Sequence, residues 1–252
     1  MRTAADIAAR AVCLGVLTFR ARFEGVRFDG DSRAAEQAAG MIAGVTNWFR
    51  GAGLSPALIA PEQALFDLPP NNWERSVLQA IGAALIEESI AVLFAGLNLV
   101  AALPAYDSRV DSEELLRLLP FLSDSPFVTH HGMDPSEEWT VMATSVSRAP
   151  DADLARGEQV AELWWWRVVS ESLVRAGELP RARIAGVLRG GAPTGRGLGV
   201  AYAGDDFAAF GKPYGQLTDD EHQAVSVIAE ARVRAFRWMQ GDVAWDEVAM
   251  DS

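Results

Sequence analysis

The sequence has little cysteine, histidine and lysine, and these shortages exclude several classes of site. Of its 252 residues one is cysteine and three are histidine, and Lys212 is the only lysine among 22 basic residues. Because a lone cysteine cannot form a disulfide within the chain, the sequence favours a reducing compartment. Cys13 lies in an apolar run, AVCLGVL, with no neighbour that would lower its pKa, so we predict a buried thiol rather than a nucleophile.

The sequence also lacks an apolar run long enough to cross a membrane. The longest run, residues 89–105, is shorter than the roughly 20 residues that a membrane helix needs, and it contains Asn98. The N-terminus does not resemble a signal peptide, because Asp6 interrupts its basic region and Arg20 and Arg22 stand in place of small cleavage-site residues. We therefore predict a soluble cytoplasmic protein with no membrane partner.

The chain has fewer basic residues than acidic ones. The 34 acidic and 22 basic residues give a formal net charge of −12. Such a surface repels phosphate backbones, which argues against a nucleic-acid ligand, and it attracts a basic protein partner. The composition leaves the formation of a homo-oligomer open.

Motifs for metal ions, phosphates and activated nucleophiles are missing or weak. His130 and His131, followed by Asp134, lie in a polar stretch where histidines are usually solvated rather than metal-bound. Residues 190–199, GGAPTGRGLG, lack the Lys-Ser/Thr pair of a phosphate loop, and the sequence has no Gly-x-Ser-x-Gly elbow or Glu-x-x-His pair. We predict no metal and no cofactor, and we lean away from an enzyme.

Helical periodicity dominates what is present, with no sustained alternation of the kind strands show. In residues 120–150 a helix from Pro135 is preferred to a strand at 139–146, and residues 190–204 are predicted to form a loop. Thr218 and Glu221 form a capping box, a helix-start signal. We predict a mostly α, single globular multi-helix domain over residues 1–252, with long loops and little or no β. The predicted helices cover residues 4–23, 32–50, 73–102, 111–119, 153–177, 180–189 and 219–240.

The stretch AELWWWR, residues 161–167, places three tryptophans in a row. Because successive helical residues lie about 100° apart, the three rings point in different directions and cannot form one aromatic platform. They are predicted to make three separate packing contacts around a central helix. Glu162 shares the face of Trp166, which predicts at least partial burial, and Arg167 falls within reach of Trp164 for a cation–π contact.

Several motifs together resemble one bacterial family. AELWWWR, ESIAVLFAGLNLVAALPAYD, DDFAAFGKPYGQLTDDE and the ending ARVRAFRWMQG…WDEVAMDS are similar to the domain-of-unknown-function family four-two-seven-two. Residues 1–70 match loosely, and residues 73–252 form a core with family-like motifs. The resemblance implies a helical single domain and no established activity. Ala231, Arg237 and Trp165 depart from the family's usual Glu, Asn and His, which argues against catalysis there.

The polar positions that match the family form our candidate cluster. Two carboxylates with an arginine, a lysine and a tyrosine are able to carry out acid–base chemistry in a water-poor pocket. The alternative is an ion-pair network that fixes helix register and docks the C-terminal tail. The candidate residues are Glu88, Glu162, Arg167, Asp206, Lys212, Tyr214, Arg232 and Asp246, together with Asp251.

Two functions follow from these features. The first, which we favour from the sequence, is a non-enzymatic acidic module that binds a basic protein, such as a toxin or effector that it neutralises, or serves as an accessory partner. The second is an enzyme or small-molecule-binding protein with a buried pocket. The residues expected to line that pocket are Glu88, Glu162, Arg167, Lys212 and Tyr214.

Overall fold

Ten α-helices account for most of residues 1–83, 86–122, 124–128 and 132–250, which are the residues described in this computed structural model. They are α1 Ala4–Val26, α2 Ser32–Gly51, α3 Ala60–Phe66, α4 Arg75–Ala83, α5 Ile86–Ala95, α6 Ser112–Leu116, α7 Pro135–Ser145, α8 Asp151–Arg175, α9 Arg181–Leu198 and α10 Asp219–Gln240. The predicted mostly α, single-domain fold is confirmed.

Among the described residues, the β-structure is confined to one small antiparallel sheet between α9 and α10. Its strands are β1 Tyr202–Ala203, β2 Asp206–Ala209 and β3 Lys212–Pro213, in the order β1-β2-β3. Phe210 and Gly211 join β2 to β3 with positive φ angles of 52° and 72°, the backbone that a tight hairpin turn requires. The sheet is too short to leave an alternating pattern in the sequence.

Polar caps set several helix starts at the predicted places. Thr218 and Glu221 form both hydrogen bonds of a capping box, and α10 covers the predicted 219–240. Asp111 caps α6 and Asp134 caps α7 through their carboxylates. The preference for a helix from Pro135 over a strand is therefore confirmed.

Helices α8 and α10 pack along each other, and α10 and α1 both pack on α5. The buried apolar residues form two clusters. The first is built mainly by α1, α5 and α10, and the second by α8, α9, the sheet and the start of α10. Cys13 is fully buried in the first cluster, as predicted, and this burial raises the pKa of its thiol to about 12.

The predicted helix over 73–102 is wrong at its C-terminal end. The structure has α4 and α5 in this region, and α5 ends at Ala95. Asn98 adopts a left-handed φ of 58°, which no α-helix contains. At Gly96 an added Cβ would lie 2.5 Å from the sulfur of Met239, so α10 packs directly against the end of α5. Residues 96–105 therefore cross the surface as an irregular apolar segment.

The predicted loop over 190–204 is also wrong, because α9 continues to Leu198 with Pro193 inside it. Ile184, Leu188 and Ala192 lie on one face of the helix and are buried in or beside the second cluster. Their burial outweighs the low helix propensity of the glycines and the proline. The helix ends where Gly199 takes a left-handed φ of 93°.

Helix α3 was not among the predicted helices. It is docked on α1 by Arg10, whose Nη1 donates to Glu62 Oε2 at 2.7 Å. Glu62 also accepts from the backbone N–H of Ile59, which precedes the helix. With only seven residues, this helix depends on such tertiary contacts.

No single helix within the described residues is long and apolar enough to cross a membrane. Arg75–Gly82 and Ile86–Ala95 satisfy that test only as a bent pair, by length and composition.

Candidate functional site

A cavity of about 560 Å³ lies between α8, α10, the end of α9 and the irregular segment that follows α5. Residues 101–106 form one wall, and Leu198 to Ala201 and Ala208 form the opposite one. The α10 residues Arg232 and Phe236 close one side. Most of the wall is apolar, as it is in small-molecule sites.

One face of α8 supplies the remaining wall of the cavity. Its lining residues follow the helical repeat of three or four, so their side chains share that face. Gly157 is the smallest of them, and an added Cβ there would lie 2.5 Å from the ring of Phe236. The glycine thus permits α8 and α10 to approach closely beside the cavity. The α8 lining residues are Asp153, Arg156, Gly157, Val160 and Trp164.

A buried ion pair between Glu88 and Arg232 holds the wall formed by residues 101–106. The Arg232 Nε donates to Glu88 Oε2 at 2.9 Å, and each side chain is 1% exposed. The Arg232 Nη1 donates to the carbonyl of Pro104 at 2.7 Å, and Glu88 Oε1 accepts from the N–H of Val110 at 2.9 Å. The pair thereby fixes a segment that has no secondary structure of its own.

An aromatic stack connects Arg232 to Trp164. The guanidinium lies 4.6 Å from the ring centre of Tyr106, and that ring stacks on Trp164 at 4.7 Å and 13°. Burial raises the pKa of the Tyr106 hydroxyl well above its usual value, although the Arg232 charge opposes this. Tyr106 therefore stays protonated and neutral at any ordinary pH.

A second ion-pair network lies on the far side of Trp164, centred on Arg167. Its guanidinium donates to Asp206 at 2.7 and 2.8 Å and to Glu171 at 3.1 Å. Arg181 donates to Glu171 at 2.7 Å, and the Gly215 N–H donates to Asp206 at 2.8 Å. This network joins α8, α9 and the sheet.

The carboxylates of this network are ionised. Burial disfavours their charged forms, but hydrogen bonds and charge from the arginines outweigh it. The pKa values of Asp206 and Glu171 both lie below their ordinary values for this reason, with Arg167 acting on both and Arg181 on Glu171. Asp206 and Glu171 therefore act as charged acceptors that hold Arg167, Arg181 and the Gly215 backbone in place.

The predicted cation–π contact between Arg167 and Trp164 is wrong. Arg167 lies instead over Tyr214, 4.6 Å from its ring centre, while Trp164 meets Tyr214 edge-on. The position of the guanidinium is set by its charge-assisted hydrogen bonds to Glu171 and Asp206, which place it over Tyr214.

The three tryptophans make separate contacts, as predicted. Trp164 is buried in the second cluster, and Trp166 packs against the same cluster. Trp165 packs against both clusters, and its Nε1 donates to the carbonyl of Met250 at 3.0 Å. The central one of the three therefore fastens the C-terminal tail.

The structure does not bring the whole predicted cluster together. Glu162 is half-buried, as predicted, but its partner is Arg237 at 2.6 Å. Lys212 pairs with Glu221 at 2.7 Å, and Asp246 is exposed in the tail. Of the predicted residues, Arg232 lines the cavity, and Glu88, Arg167, Asp206 and Tyr214 belong to the two networks beside it. Asp251, His130 and His131 lie outside the described residues.

Sequence reasoning missed Arg156, Tyr106 and Glu171. Glu171 is fully buried and lies four residues after Arg167, a spacing that pairs the two on one helix face. Arg156 shares the α8 face of Trp164, which the helical repeat would also have shown. The position of Tyr106 had no local signal, because it depends on how residues 96–105 cross the fold.

Sequence reasoning also missed a hydrogen-bonded chain through His222. Its Nδ1 lies 2.9 Å from the Tyr214 hydroxyl and its Nε2 lies 3.1 Å from Ser172 Oγ. Ser172 Oγ donates its proton to the carbonyl of Val168, so it accepts from Nε2–H, and Nδ1 accepts from Tyr214. In this arrangement His222 donates to Ser172 and links it to Tyr214.

Within the described part of the chain, no group of three or more His, Cys, Asp or Glu side chains is placed to hold a metal ion. Comparisons with known protein families, with curated proteins and with solved structures give no match for this chain. The family resemblance of the motifs therefore stays a prediction.

Proposed function

We propose that the chain is a small-molecule-binding protein whose ligand occupies the cavity between α8, α10 and residues 101–106. The observation that carries this proposal is the cavity itself, about 560 Å³ with a largely apolar wall. Protein interiors are close-packed, and ligand sites have volumes of roughly 300–1,000 Å³. The volume of this cavity falls within that range, and its wall combines apolar side chains with two arginines.

Binding is better supported than catalysis. The titratable groups on the described wall are Asp153, Arg156, Tyr106 and Arg232. Burial raises the pKa of Tyr106, so its hydroxyl does not exchange a proton near pH 7, and Arg232 is held in its ion pair with Glu88. The buried ion pair instead fixes the wall before a ligand arrives, which lowers the entropic cost of binding.

The test uses an uncharged fluorescent probe, N-phenyl-1-naphthylamine, whose emission rises in apolar surroundings. We expect saturable binding to the wild-type chain and its loss in Ala208→Phe, because Ala208 lines the cavity and a phenyl ring would fill it. Ala43→Phe is the matched control, since Ala43 is exposed on α2. Equal binding by all three proteins, or no binding by the wild type, would contradict the proposal.

A basic protein partner in the cytoplasm is the second proposal, and the net charge of −12 supports it. Long-range attraction of this kind is screened by salt, with a Debye length of about 8 Å at 0.15 M and 3 Å at 1 M. A partner held by charge should be released from the immobilised protein as the salt concentration rises. A complex that is insensitive to salt would contradict this second proposal.

A further inference from the structure

We infer that the ligand of this cavity is an amphipathic anion, with its acidic group on Arg156 and its apolar body directed towards Trp164. The inference rests on the proposed function, because it assigns a ligand class to the same cavity. It is argued from the α8 wall, where the charged Asp153 and Arg156 precede the uncharged Val160 and Trp164.

The two arginines on the wall differ in what neutralises them. Arg232 is matched by Glu88 at 2.8 Å. The Arg156 guanidinium has no carboxylate of a described residue within the 4.0 Å that defines an ion pair. Its hydrogen bond is from Nη2 to the carbonyl of Gly197, at 3.4 Å. Arg156 is exposed, and on the cavity wall it keeps most of its donors for another acceptor.

The chemistry of Arg156 selects an anion with two oxygens. A guanidinium presents a planar fork of donors that fits carboxylate, sulfonate or phosphate oxygens. The alternative role is to bind the C-terminal carbonyls of α9, where Gly197 lies. The long hydrogen bond to Gly197 uses only one of the Arg156 donors, so the other guanidinium donors stay available to an anion.

The rest of the wall suits an apolar body. From Arg156 to Trp164 the α8 face extends eight residues, or about 12 Å at 1.5 Å per residue. Val160 lies between them, and Leu103 and Phe236 face it from the other walls. A ligand of two or three fused or linked rings, or a medium-length acyl chain, spans that distance.

The carboxylate of Asp153 provides a second test of the charge of the ligand. It lines the cavity one turn before Arg156 and is exposed, so its charge acts on a bound anion through solvent. The repulsion should be weak but of definite sign. Removal of the Asp153 charge should therefore strengthen the binding of an anion and weaken the binding of a cation.

The experiment compares two dyes with the same ring system and different charge. N-phenyl-1-naphthylamine is neutral, and 8-anilinonaphthalene-1-sulfonate carries one negative charge. For the wild-type chain we expect the anion to bind about tenfold more tightly than the neutral dye, as a charge-assisted hydrogen bond allows. Arg156→Ala should remove that advantage and leave the neutral dye unaffected, and Arg156→Lys should restore part of it.

Arg183→Ala is the matched control, because Arg183 is exposed on α9 and does not line the cavity. It removes the same charge and should change neither dye's affinity. Asp153→Asn should raise the affinity for the anion about twofold. Binding of both dyes must be lost in Ala208→Phe, which shows that they occupy the cavity.

The outcomes separate the inference from the proposed function. If the neutral dye binds in the cavity but Arg156→Ala leaves the anion's affinity unchanged, the inference fails and the proposed function stands. A lower melting temperature for Arg156→Ala with unchanged affinities would assign Arg156 to the end of α9. If neither dye binds in a way that Ala208→Phe abolishes, both fail.

Discussion

Arg232 donates to Glu88 and to the carbonyl of Pro104 while lying over the ring of Tyr106. A single side chain therefore connects α10 to α5 and to the segment that forms a cavity wall. Its guanidinium is 1% exposed, so the charge is tolerated only because Glu88 and the carbonyl are present. The ion pair that neutralises Arg232 is therefore also the contact that holds the cavity wall in place.

Glu88→Gln should lower the free energy of unfolding by about 3 kcal/mol, because it leaves Arg232 buried without its counter-charge. Glu162→Gln is the matched control, since Glu162 is 39% exposed and its pair with Arg237 is partly solvated. That substitution should cost at most about 1 kcal/mol. Urea denaturation monitored by circular dichroism measures both. An equal loss of unfolding free energy in the two variants would show that burial does not determine how much these ion pairs stabilise the protein.

Individual elements differ in how far the sequence determines them. Helix α10 was predicted to the residue, because Thr218, Glu221 and an apolar stripe all indicate the same helix. Helix α9 was cut short, because its glycines and Pro193 predict a loop, and only burial against the second cluster keeps it helical. Local sequence signals predict a helix correctly where they agree with one another. Where they conflict, tertiary contacts decide whether the segment is helical.

The candidate site was less predictable than the fold. Glu88, which is buried, was among the candidate residues, and the fully buried Glu171 was not. The pairing of Glu88 with Arg232 was not predicted, because Arg232 lies 144 residues from Glu88 along the chain and no local pattern joins them. The cavity depends on Gly157 and on the path of residues 96–105, which are properties of packing between elements.

Two glycines of α9 should respond in opposite directions to the same substitution. At Gly186 an added Cβ meets no atom within 4 Å, so Gly186→Ala should stabilise the protein by about 0.5–1 kcal/mol through helix propensity. At Gly195 the Cβ would lie 2.3 Å from the Tyr202 hydroxyl, so Gly195→Ala should destabilise it by about 1–3 kcal/mol. Thermal melts of both variants measure the sign. Stabilisation by Gly195→Ala would show that β1 is not packed against α9.

In the whole molecule, buried polar groups join the same elements that build the second apolar cluster. Glu171 and Asp206 bring α8, α9 and the sheet together, and His222 joins α10 to Tyr214 and to Ser172 of α8. Burial, followed by the charge of Arg175, lowers the pKa of His222, and Arg167 acts in the same direction. Glu171 and Asp219 oppose the shift without overcoming it. The lowered pKa of His222 thus links the stability of the fold to pH.

Acidification from pH 8 to pH 5 should destabilise the wild-type chain. The unfolded chain binds a proton at His222 near the ordinary pKa of 6.5, whereas the folded chain, with its lowered pKa, resists that proton. The contribution of neutral His222 is therefore fully present above pH 6.5 and is lost as the pH falls through the lower folded pKa. Glu171 and Asp206 have lowered pKa values too, but their contributions are lost only below their ordinary values of 4.5 and 3.8.

His222→Gln isolates the effect of this histidine, because the other two histidines of the chain are retained. Glutamine keeps a donor and an acceptor for Ser172 and Tyr214 but does not titrate. We expect the urea midpoint of the wild type to fall between pH 7 and pH 5 and that of the variant to change less over the same range. Parallel pH profiles for the two proteins would mean that His222 takes up its proton equally in the folded and unfolded chains, and that burial does not depress its pKa.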